Sequence, residues 1–429
     1  MKSRSFAIAT CLLIVAALAC AGKGKREPTP GYDWPHWRGP DGNGISQETQ
    51  WNPQALSKGA RALWKADVGM GNSNVVTRGN RLYTASMGAV QCLNAQTGRK
   101  LWKYVVEGFD VPQSTPTVEG ASLYFLTNAG VLLCLDAQSG RLRWQKDLVA
   151  AYGVVLPYYK FAGSPIVEGD LVLVTANTSG IALNRETGAL VWKSEKPPAE
   201  FPVFWVGQTS GTDYSTPVVF EREAKRRAIF SSWNGISSVE IESGKPIWLY
   251  HYELYSGNEV ADPVVSGDKI YVADEYSKDR KRQSVLLKIA GEGQSILWKS
   301  PALWTDISSP LIINGYVYGC HGGPDAGFAN LCCLDLETGR CMWEKHLGGG
   351  VGSESISLTA AADKLIVLND RGTLFIVDAS PASYAEISRC DVLKAGVGIM
   401  RFWTPPVLSH GKLYCRNYGG DLVCIDVSK

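Results

Sequence analysis

Short apolar strands closed by polar turns recur from residue 59 to the end of the chain, and their spacing is regular enough to read as a repeat. In Cys92-Leu93-Asn94, Cys134-Leu135-Asp136, Leu183-Asn184 and Cys333-Leu334-Asp335 a strand ends on Asn or Asp, and a glycine stands four residues later: Gly98, Gly140, Gly188, Gly339. Another four residues on comes a tryptophan, at Trp102, Trp144, Trp192 and Trp343, and Gly244 to Trp248 keeps the same distance. The Asn or Asp side chain bonds the turn backbone while glycine supplies positive φ, so each fragment predicts a hairpin between a third and a fourth strand.

Each unit opens on Ser, Thr or Asp followed by proline: Thr115-Pro116, Ser164-Pro165, Thr216-Pro217, Asp262-Pro263 and Ser309-Pro310, with Pro405-Pro406 a variant. Proline suits a first strand position, where no ladder donor is lost. A short glycine turn and a second strand follow, as in Glu119-Gly120 before Leu123-Tyr124-Phe125. Last strands fall at Trp102, Trp144, Trp192, Trp248, Trp298 and Trp343, with a degenerate seventh near Tyr384. The eighth unit stops after Cys424-Ile425-Asp426 without one, whereas Ala62-Leu63-Trp64-Lys65 reads as a last strand with nothing before it. The expectation is an all-β, eight-bladed propeller of four-stranded antiparallel blades over residues 59–429, closed by an N-terminal strand so that no sheet edge stays open.

Composition adjusts this picture at the N-terminus. Lys2 and Arg4, the apolar run Phe6–Ala19 and Ala17-Leu18-Ala19-Cys20 have the form of a secretory signal over residues 1–20, followed by an arm over 21–58. Cys20 also stands where lipoprotein signals are cleaved and acylated, although Leu18 and Ala17 depart from the usual pattern, so release and lipidation at Cys20 both stand. The expected location is the periplasm or cell envelope. With 43 basic and 41 acidic residues, nothing calls for a nucleic-acid partner. The charged runs Glu221–Arg227 and Lys278–Arg282 read as loop tips. Cys92, Cys134, Cys333 and Cys424 recur at one repeat position, a buried small-apolar one, and neither CxxC nor CxxCH occurs.

Loop length distinguishes the two faces of the disc. First-to-second turns are short, Glu221–Arg227 excepted, whereas long connections over 147–162, 193–214, 250–261, 276–285, 321–330 and 389–403 share the other face. They carry many aromatics, among them Tyr159, Phe161, Trp205, Tyr214, Tyr250, Trp304, Phe402 and Trp403, and are the expected working face. Asp262 replaces the Ser or Thr that opens other units, which places a carboxylate toward the axial channel. The ligand-binding candidates are Asp262, Trp205, Tyr214, His251, Asp306, His321, Arg371 and Trp403, with Glu259, Asp274 and Glu354 near them in the repeat frame, an acidic and aromatic mouth suited to a cation or polar ligand. No nucleophile elbow, metalloprotease motif or P-loop is present.

The Cys-Leu-Asp-Ala-x-Thr-Gly-x-x-x-Trp core resembles the propeller repeat of pyrroloquinoline quinone (PQQ) proteins, and Trp34-Pro35-His36-Trp37-Arg38-Gly39-Pro40 resembles the lead-in of envelope PQQ-like proteins of planctomycete-type bacteria. Two branches share that repeat. Quinoprotein dehydrogenases imply PQQ between a Trp and a vicinal disulfide, calcium on Glu, Asn and Asp, and a catalytic Asp. Non-catalytic relatives similar to the outer-membrane assembly lipoprotein BamB imply a monomeric scaffold that binds an envelope protein or peptide, with no cofactor. The adjacent pair Cys332-Cys333 lies inside a third strand rather than over the channel, and the calcium ligands find no matching residues. The second branch is therefore the leading expectation, and a PQQ-dependent dehydrogenase or a small-ligand- or carbohydrate-binding propeller is the rival.

Overall fold

The computed structural model describes residues 31–429 apart from 109–110, 158, 177, 195–213, 233–234, 252–259, 277–280, 306, 325, 349–353 and 395–401. Trp205, Glu259, Asp306 and Cys20 lie outside the described residues, as does the side chain of Asp274.

Eight antiparallel sheets follow one another along the chain, and each contains four strands in sequence order from the inside out. Blade 1 comprises Val76–Arg78, Arg81–Ser86, Ala89–Asn94 and Lys100–Val105. Blade 8 is the exception, because its outermost strand is Ala62–Asp67 from the N-terminal side, paired to Asp421–Asp426 with Trp64 opposite Cys424. The ring thus closes by the expected splice, joining the two ends of the propeller through a sheet ladder. Blade 7 gains a fifth strand, Ile45–Ser46, which runs parallel to its innermost strand Ile356–Ala361.

The repeated tryptophan couples neighbouring blades. Trp64 Nε1 donates to the carbonyl of Ala95, Trp102 to Ala137, Trp144 to Arg185, Trp192 to Ile241, Trp298 to Leu336 and Trp343 to Ser380, each acceptor in the following blade. At five of these six seams the turn glycine of the following blade lies against the indole. A Cβ on Gly98 would come within 2.6 Å of Trp64, and one on Gly140 within 2.6 Å of Trp102. The glycine expected for its positive φ, 70° at Gly98, is therefore also the only residue that lets the indole seat. Burial of each indole between blades contributes roughly 2–3 kcal/mol. On the strand before the turn, Asn94 Oδ1 accepts from Gln96 N, Thr97 N and Thr97 Oγ1, as the spacing predicts.

Two of the expected long connections are hairpins extended by their own strands. Tyr316–Gly323 pairs with Phe328–Asp335, and Lys269–Tyr276 with Arg282–Ala290, leaving only 324–327 and 277–281 between them. The run Glu221–Arg227 is likewise no loop: Val218–Arg222 and Lys225–Ser232 meet through Glu223 and Ala224, both at positive φ, a two-residue turn whose twist matches the strands. At the Glu221–Arg227 hairpin Glu221 and Lys225 sit on exposed strand ends beside the turn, where polarity does not oppose pairing.

Candidate functional site

The first residue of each unit serves the inside of the ring. Asn74 N donates to Thr115 Oγ1 at 2.9 Å, Thr115 N to Ser164 Oγ at 2.9 Å, Ser164 N to Thr216 Oγ1 at 3.1 Å, Thr216 N to Asp262 Oδ1 at 2.7 Å, and Asp262 N to Ser309 Oγ at 2.9 Å. These bonds form a belt around the axis from blade 1 to blade 6. Ser308 Oγ to Ile356 O, Ser357 Oγ to Thr404 O and Asn74 Nδ2 to Pro405 O carry it round to blade 1. The Ser or Thr before proline is thus an acceptor for the preceding blade, and Asp262 keeps that role while adding a second oxygen.

That second oxygen meets the N-terminal arm. The arm enters on the face of the short turns, where Asp33 Oδ1 accepts from Gly79 N at 2.8 Å and pairs with His410 Nε2 at 2.7 Å. It climbs along the innermost strands: Trp34 bridges Thr77, and Val118 N donates to Pro35 O at 2.8 Å. Near the loop face Trp37 Nε1 donates to Asp262 Oδ2 at 2.6 Å, and Arg38 Nη2 donates to Pro310 O at 2.7 Å. The arm then turns back through Arg38–Gly44, where Gly44 at φ 80° leaves space for Leu311 that a Cβ would take. It descends beside blade 7 as Ile45–Ser46, and Glu48 returns to the turn face, where it accepts from Gly411 N. Residues 31–48 are a hairpin plug in the axial channel.

Asp262 is 2% exposed. Its carboxyl accepts from Thr216 N, Trp37 Nε1 and Ser309 Oγ, and burial pushes it up from the ordinary carboxylate value against the opposing pull of Arg38 and these donors. The Arg38 guanidinium, 5% exposed, is pulled down by burial and supported by the Asp262 charge. Trp37 and Arg38, with Ser308, Ser309, Ser357 and Trp403, line roughly 340 Å³ of atom-free space, part of it open to solvent.

Of the sequence-predicted residues, Asp262 and Trp403 thus lie at the same mouth, the first sealed beneath the arm and the second on its rim. Tyr214 is buried, and its hydroxyl accepts from Tyr159 N at 2.9 Å. His321 belongs to a separate cluster at blade 6, with ring centroids 5.2 Å from Trp304 and 5.4 Å from Phe328, while the Arg282 guanidinium lies 4.2 Å over Trp304. Burial holds the His321 imidazole below its ordinary value. His251 is exposed at the end of the outermost strand of blade 4, and Arg371 is exposed in a turn of blade 7 held by Asn369. Glu354 Oε2 accepts from Ala329 N at 3.1 Å. Several loop-face aromatics are not surface groups: Phe161 and Phe402 are fully buried and Tyr250 nearly so, whereas Tyr159 is 52% exposed. The residues sequence reasoning missed are Trp37 and Arg38, whose only signal was a tryptophan-rich segment ahead of the repeats.

These surroundings do not fit the calcium and quinone of the dehydrogenase branch. Asp262 faces hydrogen-bond donors and a guanidinium where a cation needs oxygens, and the arm occupies the axis. Among the described residues no three His, Cys, Asp or Glu side chains are grouped to hold a metal ion. Cys332 and Cys333 face opposite sides of their strand, one packed with Leu303 and Val317 and the other with Tyr318 and Phe375.

Eight four-stranded blades, five of their seams stapled by a Trp against a Gly, with a belt of Ser/Thr acceptors inside, define a PQQ-like β-propeller. The profile of the family described as outer membrane protein assembly factor BamB matches residues 54–300, and the chain belongs to that family. It is 26% identical to BamB of Yersinia pestis over 75% of each protein, and 22% identical to BamB of Legionella pneumophila (strain Paris) over 53% of each. A third relative, BamB of Salmonella typhimurium, is 27% identical, and the match spans 47% of its length, so for two of the three only about half of the relative is covered. Among solved structures, BamB from Moraxella catarrhalis superposes with a TM-score of 0.61 at 17% identity, covering 86% of this chain and 99% of that one. A quinohemoprotein alcohol dehydrogenase from Pseudomonas putida HK5 gives 0.65 at 12% identity, covering 92% and 80%. At such identities the likeness establishes the shared fold alone.

Proposed function

We propose that the protein is a non-catalytic propeller of the cell envelope that binds a protein or peptide partner through its loop face, in the manner the BamB family name implies for outer-membrane assembly. The observation that carries this reading is the axial plug. Trp37 and Arg38 engage Asp262 and Pro310 inside the ring, so the arm itself fills the axis and the surface offered for recognition is the rim outside it. Trp403 and Tyr159 stand on that rim with partly exposed rings, which suit contact with a partner. The location follows from the signal-like residues 1–20 and from the family; a tether through Cys20 belongs to the same proposal.

Photo-crosslinkers placed at Tyr159 and Trp403, and at exposed Gln96 on the turn face, test it in cells. The expected result is an adduct with an outer-membrane assembly component from the two loop-face positions, the Tyr159 adduct being weakened by Trp205→Ala together with Trp403→Ala. Adducts from Gln96 alone would sink the loop-face reading. Saturable PQQ binding in the presence of calcium, with dye-linked alcohol oxidation, would replace it with the dehydrogenase one.

A further inference from the structure

The described residues include nine cysteines, and the repeat accounts for four of them. Cys92, Cys134, Cys333 and Cys424 are buried opposite Tyr83, Tyr124, Tyr318 and Tyr414 on the neighbouring strand. Cys332 and Cys341 have no such place in the pattern. The residue before the core cysteine is Gln91 in blade 1, Leu133 in blade 2 and Val423 in blade 8; the position corresponding to Cys341 holds Lys100, Leu142 and Ala62. Blade 6 departs from the repeat at both positions, and to the same residue type.

The fold brings these two departures together. In every blade the fourth strand slips in register just after the core position; in blade 6 the slip falls between Cys333 and Leu334, where Cys341 pairs with Leu334. Cys341 thereby leans toward Cys332, and the two sulfurs stand 3.6 Å apart. That is about 1.5 Å beyond a bond and within reach of small side-chain rotations. Cys332 is fully buried beside Trp298 and Leu303, and Cys341 is exposed.

We propose that Cys332 and Cys341 form a disulfide within blade 6 when the chain meets a disulfide oxidant such as glutathione disulfide. The exposed Cys341 reacts first: its thiolate attacks the oxidant, one oxidant sulfur leaves as a thiol, and a mixed disulfide forms. Cys332, whose thiol is held protonated by burial and by the neighbouring Cys341 and Glu344, then gives up its proton and attacks Cys341 Sγ. The Cys332–Cys341 bond forms as the second oxidant thiol departs. Two thiols of the chain have lost two electrons and two protons, and the oxidant disulfide has become two thiols. The bond closes the strands around the Asp335–Gly339 turn and fixes the outer edge of blade 6.

Reduced full-length protein is incubated with glutathione disulfide under native conditions, the remaining thiols are blocked with N-ethylmaleimide in denaturant, and trypsin, which cuts after Arg340, separates the two cysteines. A linked peptide pair about 2 Da lighter than its reduced components is expected. It should be absent from Cys341→Ser, whose circular dichroism should match wild type because position 341 is exposed. The oxidised protein should melt roughly 2–5 °C higher, an increment that dithiothreitol removes. Recovery of both cysteines as maleimide adducts, a stable glutathione adduct at Cys341, or a Cys332–Cys333 linkage would each overturn the proposal.

Discussion

The seam between blades 8 and 1 and the plug in the axial channel both bury an arginine, and they treat its charge differently. At the seam, Arg416 is 1% exposed and is surrounded by neutral oxygens: Nη1 donates to Ser73 O, Thr84 Oγ1 and Ala85 O, and Nη2 to Gly69 O and Gly71 O, at 2.5 to 3.1 Å. Burial without an anion holds its guanidinium down to about 10. In the channel, Arg38 makes fewer bonds but has the Asp262 carboxyl in its field. The seam uses a cation to gather five neutral oxygens from one strand and a loop. The plug uses opposite charges to fix which part of the arm meets which blade. One arrangement holds the ring shut, and the other selects a register.

This contrast is broken most directly at the seam. Arg416→Ala leaves five acceptors without their donor and should cost about 4 kcal/mol or more in chemical denaturation, with Arg416→Lys intermediate. A loss under 1 kcal/mol would mean that the outer strand alone closes the ring. Asp262→Ala, which removes the acceptor of Thr216 N and Trp37 Nε1 and strips Arg38 of its opposing charge, should cost about 3 kcal/mol. Hydrogen exchange should rise in residues 31–48 more than in the Ala62–Asp67 strand; equal increases would erase the distinction between plug and seam. Gly98→Ala drives a Cβ into Trp64 at positive φ, and a loss of about 2 kcal/mol confined to the same seam should appear in its midpoint. Trp37→Phe removes one bond to a carboxyl, about 1 kcal/mol, and should loosen the arm while the seam keeps its protection.

The smallest effect is in pH. The folded Asp262 carboxyl holds its proton to a higher pH than the unfolded chain, whose value lies near 3.8. Its contribution to stability is therefore complete below 3.8 and is lost as pH rises through the folded value. Wild type should gain on Asp262→Asn as pH is lowered from 7 toward 4, read from paired denaturation curves. The gap to Arg416→Ala should stay flat over that range, because burial lowers the Arg416 guanidinium only to about 10 and alanine does not titrate.

The blades were legible because their determinants are local: a strand, an Asn or Asp, a glycine and a tryptophan within about a dozen residues. Closure was legible for the same reason, since Trp64 lacks the strands that precede every other such tryptophan. The repeat position of Asp262 put it at the start of an inner strand, where its carboxyl meets Thr216 N and Trp37 Nε1. What covers it could not be read, because Trp37 lies 225 residues away and carries no periodicity of its own. Charge runs misled at Glu221–Arg227, where the polar residues lie on paired strands about a two-residue turn, Glu221 and Lys225 exposed and Arg227 buried. Burial of Phe161 and Phe402 escaped notice because loop aromatics and inter-blade spacers have the same composition.

Because the hairpin enters and leaves by the turn face, it also sets a load path. Tension on the segment ahead of residue 31 reaches Tyr32 and Asp33 first, through their bonds to Ser409, His410 and Gly79. The arm is then drawn along the axis, releasing Trp34, Trp37 and Arg38 one after another. The ring-closing strand Ala62–Asp67 feels the pull only once Ile45–Ser46 has peeled from blade 7, so the plug acts as a mechanical fuse between whatever holds the N-terminus and that closing strand.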